Sequence, residues 1–302
     1  MHKYESLSPI FIGGTGRSGT TILSKFIGSH EEVVKIPLES RFIIDKNGLI
    51  DLFESLTKNH SIDQGRVAIR DFENKIQDMS NPYKAPYLGW NRNGVIDKNK
   101  FQKYTQELIK DLTYGTFESV DFSTEDKYDI HAVRKSLVLF NKALGKISQK
   151  IIGERMSFFG TSLKEKTPKE KIYIPKYYDD EQVLLEILKN YTLSVFSGVF
   201  ERKKEIKAWC EDTPANMLNM DFLEKLFPDG KYIHVMRHPV AVTYSFKKVF
   251  WAPDNLKQCC DLLESSYGKL MDIHKRYNSY ENYIFLKLED FANKEQQRTF
   301  EE

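Results

Sequence analysis

Short apolar runs closed by turn residues stand near both ends of the chain, and the stretch between them follows a helical period instead. Pro9 to Gly14 (Pro-Ile-Phe-Ile-Gly-Gly) is such a run, stopped by glycines, and has the pattern of a parallel strand buried on both faces. From Thr20 to Ile27 the pattern turns helical, with Ile22, Leu23, Phe26 and Ile27 on one face. Val33-Val34-Lys35-Ile36 is a second run, ended by Pro37. A strand–loop–helix–strand unit is therefore predicted within the first 37 residues, right-handed by default. The strand pattern returns at Ile206–Cys210, Lys231–Met236 and Tyr283–Leu288. Helices are predicted over Ala215–Phe227, from about Pro239 to Phe250, and from Glu289 to Glu302. The last has no ending signal, so a missing C-terminal segment and a short natural terminus are equally compatible with it.

The middle, roughly residues 41–205, reads as mostly helical. Its clearest helix is Asp179–Phe200, where Leu184, Ile187, Leu188, Tyr191 and Val195 recur at steps of three and four. Asn81–Gly94 and Lys164–Lys176 read as loops. The expected fold is α/β: one domain with a central parallel sheet from about 9–40 and 206–302, and a large helical insertion over 41–205.

Composition narrows the function classes. The 302 residues are 40% hydrophobic and 29% charged, ordinary for a globular protein with a core. Net charge is +2, which gives no support to nucleic-acid binding, since that needs a basic excess or stripe. Cys210, Cys259 and Cys260 lack metal-ligand spacing, and their odd number argues against a disulfide framework. No metal is expected. The start carries no apolar signal region, and no apolar run approaches the roughly 20 residues that cross a bilayer. A soluble, cytoplasmic chain without a membrane partner is expected; a homodimer is left open.

Chemistry concentrates in Gly13-Gly14-Thr15-Gly16-Arg17-Ser18-Gly19-Thr20-Thr21. Gly14 and Gly19 bracket four residues, as in a phosphate loop whose backbone N–H groups and following helix N-terminus hold an anion. Thr20 stands where a kinase or ATPase has the lysine that reaches the β/γ-phosphates. Arg17 instead places a cation inside the loop, able to give two parallel hydrogen bonds to phosphate or sulfate, and Ser18, Thr20 and Thr21 add hydroxyls. The plainer alternative is a glycine-rich turn with Thr20 and Thr21 as helix caps. A second candidate anchor lies far along the chain. Arg237 ends the strand Lys231–Met236, where ligands collect in open α/β sheets, and Ser245 follows eight residues later in the next helix. The alternatives for these two are a surface charge and a solvated helix position.

The loop from Phe11 to Leu23 resembles the 5′-phosphosulfate loop of sulfotransferases that use 3′-phosphoadenosine 5′-phosphosulfate (PAPS). Its Arg-Ser-Gly-Thr-Thr form is similar to that of tyrosylprotein sulfotransferases and their bacterial relatives. The resemblance implies a P-loop-like three-layer fold and PAPS as cosubstrate. It also implies a 5′-phosphate cradle of Gly16, Arg17, Ser18, Gly19, Thr20 and Thr21, and a 3′-phosphate site of Arg237 and Ser245. Ile22 occupies the place of the tryptophan found in cytosolic small-molecule sulfotransferases, and His238 that of the usual Asp. Trp209-Cys-Glu-Asp-Thr-Pro-Ala-Asn216 resembles the family's Lys-Thr-Pro-x-Asn segment, with Asp212 in place of the lysine. Leu286-Lys-Leu-Glu-Asp-Phe291 resembles its late Tyr-Glu-Asp-Leu segment, with Leu288 for tyrosine.

The implied reaction is in-line sulfuryl transfer to a hydroxyl or amine, with Arg17 neutralising charge on the departing phosphate. Pro37-Leu-Glu-Ser-Arg41 is similar to the Glu-x-Arg segment of tyrosylprotein sulfotransferases, which makes Glu39 the candidate base and Arg41 a substrate contact. A surface or capping acid is the alternative for Glu39, and simple pairing with Glu39 that for Arg41. His131 and His234 are further candidate bases without a motif; His234 alternates within a strand as a packed residue does. The acceptor stays open among small molecules, carbohydrates and peptides, and the helical middle either shapes its pocket or only packs. The competing readings are a kinase with an unusual phosphate loop and a non-catalytic nucleotide-binding protein.

Overall fold

The structure, a computed structural model, describes residues 3–58, 61–81, 97–119, 146–147, 150 and 170–292. His131, most of the 81–94 loop, the first half of the 164–176 loop and the end of the C-terminal helix lie outside the described residues.

Five parallel strands form the expected sheet. β1 (Ser8–Gly14) is central, with β5 (Ala208–Glu211) on one side and β6 (Lys231–Met236) on the other. β2 (Val33–Lys35) and β7 (Tyr283–Lys287) close the edges, giving the order β2-β5-β1-β6-β7. Side chains alternate across the pleat, and the sequence fills both faces with apolar groups. Phe11 faces one side, against Trp209 at 5.4 Å and stacked on Tyr232 at 5.8 Å. Ile12 faces the other, clustered with Cys210, Ile233, Val235 and Leu23 of α1 (Thr20–Ile27). Helices therefore cover both faces, and three layers result.

The insertion grows out of the Phe11 face. It contains α2 (Arg41–Ile44), α3 (Leu49–Thr57), α4 (Ile62–Met79), α5 (Lys98–Leu112) and α6 (Glu181–Phe200). Asp97 caps α5 by accepting from Asn99 N–H at 2.8 Å, and Asp180 caps α6 by accepting from Gln182 N–H at 2.9 Å. Phe196 of α6 packs on Trp209 at 5.3 Å, so one apolar cluster runs from the sheet into the insertion. By length and composition alone α6 is long and apolar enough to cross a membrane, which the apolar runs had not suggested. Half of its twenty residues are buried against the protein, which gives the apolar helix another place to go.

Other departures from the expected elements have local causes. The mostly helical middle also holds two strands, and Lys164–Lys176 is not wholly a loop. β4 (Glu170–Pro175) pairs antiparallel with β3 (Thr113–Ser119). Ile172, Tyr173 and Ile174 are good strand formers, but their partner lies more than fifty residues away, so no local pattern announces the pair. The helix expected at 215–227 begins as a 3-10 turn, Pro214–Asn219, before α7 (Met220–Leu226). α8 (Pro239–Phe246) stops four residues early, where Lys248 and Val249 N–H groups bond three residues back instead of four. The 22-residue helix α9 (Leu256–Tyr277) was not anticipated from the sequence, although Asn255 caps it and Cys259, Leu263, Leu270 and Ile273 line its buried side. α10 (Leu288–Ala292) follows β7 directly.

Candidate functional site

All five parallel strands end at the same rim, and each delivers a polar residue just past its C-terminal end. β1 runs into the glycine loop, β2 into Glu39, β5 into Asp212, β6 into Arg237 and β7 into Glu289.

The glycine loop is shaped for an anion. A Cβ at Gly14 would sit 2.1 Å from Val235 O of β6, so only glycine lets the two backbones lie together there. Gly19 has φ 102° and caps α1, and Arg17 has φ 67°, the left-handed region for a residue that rarely adopts it. Alternating right- and left-handed residues turn successive N–H groups to one side and form a concave anion nest. The first-turn N–H groups of α1, including Thr20 and Thr21, add to it. Ser18 is fully buried within this loop, and its Oγ has no hydrogen-bond partner among the described residues.

The two arginines and the serine singled out in the sequence meet. Arg17 Nε donates to Ser245 Oγ at 3.0 Å, although 228 positions separate them. Arg237 Nη1 donates to Arg17 O at 3.2 Å. Neither arginine forms an ion pair among the described residues, and Arg17 is exposed. Phe246 and Trp251 pack edge to face beside Gly16, an aromatic flank that no sequence pattern had marked.

The other half of the rim is acidic. Glu39 is partly buried, and its carboxyl pKa is raised, first by burial and further by Glu211, Asp212 and Asp45; Arg41 opposes this. Arg41 Nη1 stands 4.0 Å from Glu39, while its Nε donates to Asp45 Oδ2 at 2.7 Å, so Asp45 is its nearer partner. Asp212 is buried, accepting from Lys35 Nζ at 2.9 Å and from Ser24 Oγ at 2.8 Å. An amine thus reaches this corner from β2 rather than from position 212, already matched to a carboxylate. Beside it Glu211 is wholly buried, and desolvation raises its pKa. It accepts from Ser40 N–H at 2.7 Å, from Thr213 N–H at 3.1 Å, from the Thr213 hydroxyl, and from Asn216 Nδ2 at 2.5 Å. Glu211 therefore ties the loop carrying Glu39 to the end of β5. The sequence reading overlooked it, although an acid directly after the buried Trp209-Cys210 pair was the signal available.

His234 is not at the rim. It lies within β6, fully buried, with Nδ1 2.7 Å from the Tyr283 hydroxyl. Burial lowers its pKa to about 4. It is a core residue, as its place in the strand suggested. Among the described residues no group of three or more His, Cys, Asp or Glu is placed to hold a metal ion.

Residues 9–117 and 145–299 match the model of the sulfotransferase family. No curated protein matches the chain. Among solved structures it is similar to the sulfotransferase STF9 from Mycobacterium avium, at 15% identity and TM-score 0.40 over 98% of this chain and 63% of that one. The sulfotransferase domain of the Synechococcus PCC 7002 olefin synthase matches at 14% identity and TM-score 0.38, covering 96% of this chain and 69% of that one. The sulfotransferase domain from the curacin biosynthetic pathway matches at 16% and 0.39, covering 96% and 70%. This chain spans under two thirds of the Mycobacterium protein's length. The family match extends through both halves of the sheet and takes in the glycine loop, Arg237 and Ser245, and the chain belongs to the sulfotransferase family.

Proposed function

We propose that the chain transfers a sulfuryl group from PAPS to a hydroxyl or amine acceptor at this rim. The observation that carries the reading is the meeting of Arg17 with Ser245, and of Arg237 with the Arg17 carbonyl, at one edge of the sheet. Two cationic anchors side by side suit a donor with phosphate at both the 5′ and 3′ positions. The residues fit such a group: a loop whose close approaches need glycine, and, among the described residues, a buried Ser18 hydroxyl with no hydrogen-bond partner and guanidinium groups in no ion pair. When bound, PAPS supplies an activated sulfuryl group on a phosphate leaving group.

The backbone from Gly16 to Thr21 would hold the 5′ end. Arg17 would neutralise charge at the leaving oxygen, while Arg237 and Ser245 would hold the 3′-phosphate. Glu39 accepts the acceptor's proton. Its raised pKa makes it a better base than an ordinary surface carboxylate, provided it is ionised at the working pH. Arg41, anchored by Asp45, stands where it can meet the acceptor.

Calorimetry with 3′-phosphoadenosine 5′-phosphate against ATP tests the reading. Tight binding of the bisphosphate is expected. Tight binding of ATP with none of the bisphosphate would favour the kinase reading and remove this one.

A further inference from the structure

One peptide bond beside the 3′ anchor is gripped on both of its polar groups. The carbonyl of Arg237 accepts from the Tyr267 hydroxyl at 2.5 Å, and the N–H of His238 donates to Glu289 Oε1 at 2.9 Å. These are the two ends of the same peptide plane. The strand ladder does not supply the bonds: register with β7 ends at Met236, paired with Lys287, and the chain then leaves the sheet. A backbone group past a strand end would ordinarily turn to water. Here it meets side chains from two separate elements, Tyr267 in α9 and Glu289 in α10.

The same two elements also brace the glycine loop. A Cβ at Gly19 would sit 2.6 Å from Leu288 Cδ1, so Leu288 fills the space directly under the loop. Burial raises the pKa of the Tyr267 phenol, and the Thr15 hydroxyl of the loop opposes that rise. The late Leu-Glu-Asp segment and the unanticipated helix α9 thus touch both anchors from behind. Fixing the 237–238 plane sets the direction in which the Arg237 side chain leaves the backbone, and holds it beside Arg17 O.

We propose that Tyr267 and Glu289 are positioning residues that aim Arg237 at the donor's 3′-phosphate. Both act through the peptide plane and not by touching the nucleotide. The inference rests on the assignment of Arg237 made above, and the experiment separates the two. Affinities for 3′-phosphoadenosine 5′-phosphate and for AMP are measured by calorimetry, with melting temperatures, for the unmodified chain, Arg237→Ala, Tyr267→Phe, Glu289→Ala and Glu289→Gln. The ratio of the two affinities isolates the 3′-phosphate.

Tyr267→Phe and Glu289→Ala should each lower that ratio about 3- to 10-fold while AMP binding holds, the effect of losing one hydrogen bond. Glu289→Gln should restore it, because the amide oxygen accepts the same N–H. A ratio unchanged in both variants while Arg237→Ala collapses it would overturn the positioning role and leave the anchor standing. Equal losses for both nucleotides with a lowered melting temperature would mark a merely structural role and overturn it too. No preference for the bisphosphate in the unmodified chain would remove the anchor assignment itself, and the inference with it.

Discussion

The two halves of the rim handle charge in opposite ways. At the ends of β1 and β6, Arg17 and Arg237 keep their guanidinium groups near water and, among the described residues, bond to a hydroxyl and a carbonyl. At the ends of β2 and β5, Glu39, Glu211 and Asp212 are wholly or partly desolvated. A cation that is to meet a polyanion gains from staying unpaired and accessible, since its partner brings the opposite charge. A carboxylate that is to take a proton gains from burial beside other acids, because both raise its pKa. The proposed function puts donor binding on the first half and proton transfer on the second.

The sharpest break of that division is Glu39→Gln. Nucleotide binding should hold while kcat falls about 10²- to 10⁴-fold, the usual contribution of a general base. Unchanged turnover would move the base elsewhere. On the cationic half the expected pattern is the reverse. Arg17→Ala should cost about 10²- to 10³-fold in transfer, comparable to removing one charge-stabilising donor. Arg237→Ala should abolish discrimination between 3′-phosphorylated and unphosphorylated nucleotides, with near-native circular dichroism in both variants.

A smaller effect concerns the core behind the rim. His234 is buried with a pKa near 4, below the roughly 6.5 of an unfolded histidine. Between those values the unfolded chain binds the extra proton, so stability rises with pH across that window, by up to about 3 kcal/mol. Urea titrations from pH 7 to pH 4 should show this loss, and His234→Gln should flatten it. A slope unchanged in that variant would assign the acid sensitivity to other groups.

The finest test couples the acidic pair. Glu211 raises the Glu39 pKa, so Glu211→Gln should shift the acid limb of the kcat profile to lower pH. It should also weaken the tie at Ser40 N–H, lowering kcat more than nucleotide affinity. An unmoved limb would mean that burial and the charges other than Glu211 set the Glu39 pKa.

Much of this was legible before any fold was known. β1, α1, β6 and β7 lie within a residue or two of their expected bounds, because buried strands stopped by glycine and an amphipathic helix are written in contiguous residues. The phosphate loop was legible for the same reason: Gly14, Arg17 and Gly19 sit in one short segment. Arg237 is singled out by the strand end that precedes it and Ser245 by a spacing that resembles the family's, and the fold brings both to Arg17.

What the chain concealed depends on partners distant in sequence. The β3–β4 pair needs strands more than fifty positions apart, and helix α9 is lost among charged residues on its open face. No motif marks Glu211 in the sequence, and only the fold buries it and gives it Ser40, Thr213 and Asn216 as hydrogen-bond partners. Lys35 became the amine at Asp212 only because β2 lies beside β5. Local composition determined which segments could bind an anion. Tertiary structure decided which charges remained open to one, because burial, and the pKa shifts it causes, is set by whatever the rest of the chain folds against each group.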